Sequence, residues 1–248
     1  MNEILLKIKN IKKIYGQKAA LKGISLDVYK GEILGLLGVN GAGKTTLSSI
    51  IATLIPPTEG DIELDGVSIY KDLTTYRFSL GFCPQRPNLN PMLSLEQNLR
   101  LAGSYYGMSE TQIDERLAIL VNQFELAPFL HQRAMVLSGG YKQRFMIARS
   151  LMHSPKLVLM DEPTVALDPH IRRQLWAIIK DLKKTGVTVI LTTHYLDEAE
   201  HLADRVCVLD QGQIKLIDTP EKLKADFNMS NLEDVFLALT QETITKNN

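Results

Sequence analysis

Gly38-Val39-Asn40-Gly41-Ala42-Gly43-Lys44-Thr45 is the stretch on which the reading of this chain turns. Ahead of it, Ile33 to Leu37 is a short continuous apolar run, the pattern of a strand buried on both faces of a parallel sheet. Behind it, Thr46 to Leu54 is able to wind as a helix. Glycines between a buried strand and a helix let successive backbone N–H groups turn inward around phosphate oxygens, and the helix N-terminus adds its positive end. Lys44 contributes a point charge and Thr45 a hydroxyl for Mg²⁺. The spacing predicts a phosphate loop and, with it, an α/β fold. A merely flexible glycine turn, the alternative, gives no reason for Lys44-Thr45 or for the flanking strand and helix.

Leu157 to Met160 and Val187 to Leu191 repeat the continuous apolar pattern and predict further strands of the same buried sheet. Residues 3 to 35 instead alternate apolar with polar, as in Ile24-Ser25-Leu26-Asp27-Val28, and Asp65-Gly66 joins Ile62-Glu63-Leu64 to Val67-Ser68-Ile69 in the same style. These predict antiparallel strands in a separate layer. Residues 88 to 150 read as a helical insert, in which Ser94 with Gln97 and Ser109 with Gln112 are capping-box pairs. Another helix is predicted to start at Asp168 as N-cap with Pro169 behind it. It carries Ile171, Leu175, Ile178, Ile179 and Leu182 on one face and stops at Gly186. The polar tail from Thr240 to Asn248 is the one loose segment expected, and neither an internal repeat nor a coiled-coil heptad run is present.

Two further stretches carry chemistry. Leu157-Val158-Leu159-Met160-Asp161-Glu162 delivers two carboxylates at the end of a buried strand, where ligands meet α/β sheets. Asp161 is suited to hold Mg²⁺, directly or through water, and Glu162 to polarise an attacking water, although a solvated acidic turn has the same spelling. Leu137-Ser138-Gly139-Gly140 stands before an apolar helical run, Tyr141 to Met152, and offers a second helix N-terminus to an anion. Taken alone, Ser-Gly-Gly in that place is more often only a cap and a loop.

Composition narrows the possibilities. With 28 basic and 28 acidic residues the formal charge is zero, so no bulk attraction to nucleic acid or anionic lipid is expected. Cys83 and Cys207 lie in apolar strand-like runs and read as reduced, structural thiols. The N-terminal apolar run is broken at Lys7, too soon for a signal peptide, and apolar stretches fall short of the roughly 20 residues that span a bilayer. The expectation is a cytoplasmic protein that serves a membrane, if at all, from outside it.

In their order along the chain, the phosphate loop, Leu137-Ser138-Gly139-Gly140, Asp161-Glu162, Ala166-Leu167-Asp168 and His194 resemble the ATP-binding subunits of ABC transporters, over residues 3 to about 240. The resemblance implies a P-loop NTPase (RecA-like) core with an antiparallel β subdomain and a helical subdomain at about 88–150. It also implies a small C-terminal extension at 218–240 and a tail at 241–248. It implies ATP and Mg²⁺, held by Gly38, Asn40, Gly41, Ala42, Gly43, Lys44, Thr45 and Thr46, with adenine stacked on Tyr15 and the metal on Thr45, Gln85 and Asp161. Catalysis would fall to Glu162, His194, Gln85 and Lys44. Two copies would close head to tail, so that Ser138, Gly139 and Gly140 grip the γ-phosphate of ATP bound to the other copy and Asp168 crosses the interface. Three positions depart from the commonest pattern: Val39 for proline, Tyr141 for glutamine and Val165 for serine.

Within that family, Thr192 to Glu200, Asp204-Arg205 and Leu232 to Phe236 resemble motors of drug and antibiotic exporters, which pair with a separate integral membrane permease. Importer motors are near neighbours. Soluble ABC proteins acting on ribosomes or DNA resemble tandem cassettes or a cassette split by a coiled coil, and this chain has neither feature. A module that holds ATP without turnover would lack the carboxylate that Glu162 supplies. The expectation is an exporter ATPase on the cytoplasmic face of the cell membrane, meeting its permease near residues 86 to 108.

Overall fold

Alternation of apolar and polar residues turns the N-terminal chain into a long antiparallel hairpin of β1 (Ile4–Tyr15) and β2 (Lys18–Tyr29). The computed structural model describes residues 3–245. The chain then crosses into a second sheet as β3 (Ile33–Leu37), buried at every position, and passes through the glycine loop into α1 (Lys44–Ile51). It returns to the first sheet as β4 (Glu59–Leu64), and the Asp65-Gly66 turn leads to β5 (Val67–Ser68), giving the order β2-β1-β4-β5. After α2 (Leu73–Phe78) comes β6 (Leu80–Cys83), an edge of the second sheet.

The helical insert follows. Here α3 (Leu95–Tyr105) and α4 (Glu110–Gln123) each open with a complete capping box at the expected serine and glutamine, and α5 (Gly139–Ser150) leads back toward the sheet. The remaining elements are β7 (Leu157–Asp161), α6 (Pro169–Lys184), β8 (Thr188–Thr192), α7 (Leu196–Leu202), β9 (Arg205–Asp210), β10 (Gln213–Asp218), α8 (Pro220–Phe227) and α9 (Leu232–Thr245). The second sheet has the order β10-β9-β3-β8-β7-β6 and is parallel except for β10, which folds back on β9.

The central strands feed two cores at once, as continuous apolar runs should. Val158, Met160, Val189 and Leu191 join the helical side, with α3, α4, α5 and α6. Leu157, Leu159, Ile190, Leu34 and Leu36 face the other way, onto α1 and the antiparallel sheet. A third cluster seats α7, α8 and α9 on β9. Cys83 and Cys207 are free and buried, and burial pushes both thiols up to about 12.

Several boundaries differ from expectation. The helix after the phosphate loop starts at Lys44 and not at Thr46. Gly139 and Gly140 are the first residues of α5 instead of standing before it. Asp168 does precede α6, with Pro169 at its start, but its side chain caps no N–H; Ser138 before α5 makes no side-chain cap either. The backbone of α9 continues to Thr245, into the stretch expected to be loose, while residues 246–248 of that tail lie outside the described ones. Among the described residues no helix is long and apolar enough to cross a membrane.

Candidate functional site

The phosphate loop joins the end of the buried strand β3 to α1, so its backbone is anchored at both sides. Lys44 is buried, and its Nζ donates to the carbonyl oxygens of Gly38 at 2.6 Å and Val39 at 3.4 Å. Burial pulls its ammonium below the usual lysine range, opposed by the charges of Glu162 and then Asp161. The loop thus holds a cation inside its own curve, with two carboxylates near enough to be felt.

Asn40, Gly41, Gly43, Lys44, Thr45 and Thr46 line one cleft, with Tyr15 at its rim and Glu162 on its wall. Tyr15 is 50% exposed, which leaves a large part of the ring accessible to a planar ligand, and Lys13 Nζ lies 5.2 Å from its centroid. Gly38 lines an adjoining groove together with Asn40, Thr45, Gln85, Glu162 and His194. Ala42 is the exception among the expected loop residues: it is buried, and its carbonyl accepts from Gly212 N at 2.9 Å. The cleft is also lined by Lys18, Ala20, Lys22 and Gln211, none of which sequence reasoning picked out.

Strand register assembles the acidic end of the site. β7 ends at Asp161, and Glu162 turns out of the strand with φ 48°, a left-handed backbone that a side chain rarely adopts. Hydrogen bonds hold that turn: Glu162 N donates to the backbone oxygen and to Oγ1 of Thr192, both at 3.0 Å, and Thr192 Oγ1 donates to Asp161 Oδ1 at 2.6 Å. Gln85 Nε2 donates to Glu162 Oε2 at 2.8 Å, and His194 Nδ1 stands 3.3 Å from Glu162 Oε1. Gln85, Glu162 and His194, far apart in sequence, therefore meet around one carboxylate beside the phosphate loop.

Ser138, Gly139, Gly140 and Asp168 are not brought into this cluster, because neither the cleft nor its adjoining groove includes them. They lie together elsewhere. A Cβ on Gly140 would stand 2.4 Å from Ile171 Cγ2 on α6, and one on Gly139 would stand 3.3 Å from Leu167. Tyr141 packs on Phe129, with ring centroids 4.2 Å apart, and lies under the Arg144 guanidinium at 5.3 Å.

A glycine loop between β3 and α1, with a buried lysine and a glutamine, glutamate and histidine gathered beside it, defines a P-loop ATPase in which the mainly parallel sheet is accompanied by an antiparallel one. The chain belongs to the ABC transporter family, whose model matches residues 21–165, and it is an ATP-binding, ATP-hydrolysing subunit of that family. A second model, described as an AAA domain, putative AbiEii toxin, Type IV TA system, matches residues 142–196. Linearmycin resistance ATP-binding protein LnrL of Bacillus subtilis (strain 168) is 41% identical over 219 residues, covering 88% of this chain and 70% of that protein. Nod factor export ATP-binding protein I of Rhizobium sp. (strain N33) is 36% identical over 245 residues, covering 99% and 81%. Among solved structures, an ATP-binding subunit of an ABC transporter superposes with a TM-score of 0.85 at 32% identity, covering 95% of this chain and 99% of that one. The dimeric post-hydrolysis state of the ATP-binding cassette MJ0796 bound to ADP and Pi gives 0.78 at 31% identity, covering 87% and 98%.

Proposed function

We propose that this chain is the motor of an exporter, in which two copies close head to tail over ATP and drive a separate membrane permease from the cytoplasmic face. The observation that carries the catalytic part is the meeting of Gln85 and His194 on the Glu162 carboxylate, beside Lys44 and Thr45. Export is supported by relatives whose names are linearmycin resistance and Nod factor export ATP-binding proteins. Pairing of two copies is supported by the dimeric cassette MJ0796, and its head-to-tail sense by the position of Ser138, Gly139 and Gly140 outside the cleft that holds Lys44. For the permease, the exposed apolar side chains Met92 and Tyr105 lie in the stretch 86–108 where docking is expected.

The residues fit a magnesium ion. The Thr45 hydroxyl, an Asp161 carboxylate oxygen and the Gln85 carboxamide oxygen are hard donors, and so few protein ligands suit an ion that keeps waters and phosphate oxygens. When bound, Mg²⁺ would neutralise charge between the terminal phosphates. The chain's own groups do the rest. Tyr15 stacks on adenine, while Gly38 to Thr46 direct N–H groups and the Lys44 ammonium at the phosphates. Glu162 accepts a proton from the attacking water. Gln85 and His194 fix that carboxylate's direction, and His194 reaches the γ-phosphate. Ser138, Gly139, Gly140 and Asp168 act on the other copy's site.

The test is Glu162→Gln. Turnover should fall at least about a hundredfold while ATP still binds and dimers accumulate. Turnover like that of the unaltered chain would remove Glu162 from catalysis. Purification from membranes should recover an integral membrane protein with the chain, and recovery with ribosomes or DNA would favour a different partner.

A further inference from the structure

Behind the catalytic cluster lies a buried carboxylate that the mechanism above does not use. Glu198, on α7, is fully buried, and its Oε1 accepts from Trp176 Nε1 at 3.0 Å. Thr164 and Thr193, both buried, flank the same carboxyl. Burial raises its pKa, and the hydroxyls of Thr193 and Thr164 and the indole of Trp176 pull in the other direction. Oε2 and the Thr164 hydroxyl nonetheless complete no hydrogen bond, so a buried acceptor and a buried hydroxyl remain side by side with bonding capacity to spare.

These partners come from the loops that matter. Thr164 belongs to the turn that Glu162 begins, where Val165 N donates to Glu162 O and Leu167 N to Thr164 O. Thr193 immediately precedes His194, with its N–H on Leu36 O and its hydroxyl accepting from Tyr195 N. Trp176 lies on α6, the helix that starts after Asp168. The carboxyl therefore bonds the helix that starts after Asp168 and lies beside the loop of the base and the loop of the histidine.

We propose that Glu198 is a positioning residue for ATP hydrolysis: bonded to Trp176 and packed beside Thr193, it holds the Glu162 loop in register with the His194 loop by accepting the Thr164 hydroxyl at Oε2 once ATP is bound. This rests on the reading that Glu162 and His194 act on ATP. Neither Glu198 nor its partners needs to touch nucleotide. A small displacement of a catalytic group costs rate and not binding, so the signature is a fall in kcat at constant KM.

Trp176 is the only tryptophan in the chain, so intrinsic fluorescence reports on this contact directly. Emission of the unaltered protein should change on titration with MgATP. In Glu198→Leu and in the near-isosteric Thr164→Val, that change should be lost or reduced. Their kcat should fall about tenfold or more with KM and nucleotide affinity within twofold, and Glu198→Gln should recover part of the rate. A kcat within twofold of the unaltered protein in folded Thr164→Val and Glu198→Leu, with the fluorescence response intact, would overturn the proposal. If Glu162→Gln itself keeps full turnover, the failure lies in the assignment of the base instead.

Discussion

Gln85 and Glu162 meet at 2.8 Å because each stands two residues beyond a paired position: Cys83 pairs with Met160 in the neighbouring parallel strands β6 and β7. Parallel register thus delivers both side chains to the same end of the sheet, at the same height. His194 comes from β8, the other neighbour of β7, one residue further on: Thr192 pairs with Asp161, and His194 stands two residues past it.

Removing the amide while leaving the carboxylate tests what that contact does. Gln85→Ala should bind ATP without magnesium as tightly as the unaltered chain and turn MgATP over about tenfold to a hundredfold more slowly, because Glu162 loses the donor that fixes its direction. Single-turnover hydrolysis beside equilibrium nucleotide binding separates the two effects. An equal loss in both would make Gln85 a binding residue.

Gly140 is required by a neighbour. With a Cβ only 2.4 Å from Ile171 Cγ2, Gly140→Ala must displace either the Ile171 side chain or α5 itself. The expected cost is about 1–3 kcal/mol by denaturant unfolding. Pairing it with Ile171→Ala should recover part of that loss, a non-additivity that a double-mutant cycle would measure. Additive losses would mean that the strain is relieved elsewhere.

Acid sensitivity should centre in part on His153. Its ring stacks on Tyr106 at 3.6 Å, its Nε2 hydrogen-bonds Leu80 O at 3.0 Å, and burial, the main cause, lowers its pKa from 6.5 to about 4. The unfolded chain therefore takes up this proton first. The contribution to stability is complete above pH 6.5 and is lost as pH falls toward 4, up to about 3 kcal/mol. His153→Phe should flatten the pH dependence of thermal unfolding across that window, and an unchanged slope would assign the acid loss to other groups, His201 and the carboxylates.

Much of this architecture is legible in the sequence because its strongest signals are local. Continuous apolar runs mark β3, β7 and β8 since parallel strands are buried on both faces, and both capping boxes form at the residues that spell them. Gly139-Gly140 misleads at the start of α5 because close packing on α6, and not helix propensity, decides there. Lys18, Lys22 and Gln211 were not legible as cleft residues, because only long-range pairing brings the β9–β10 turn to β2. Glu198 was hidden for a related reason: on an acidic, exposed-looking helix start, nothing local distinguishes a buried carboxylate from a solvated one.

Gly212, in that same β9–β10 turn, donates to Ala42 O in the phosphate loop and accepts from Lys22 N on β2. Its φ is 76°, and a Cβ there would come within 2.5 Å of Ala20 O, so no bulkier residue fits the spot without parting the strands. The turn works as a rivet between the two layers that enclose the cleft. In the proposed binding mode, adenine on the hairpin and phosphates on the loop would be gripped by plates pinned at a common point, and rocking of one plate would pivot there instead of sliding the nucleotide's two ends apart.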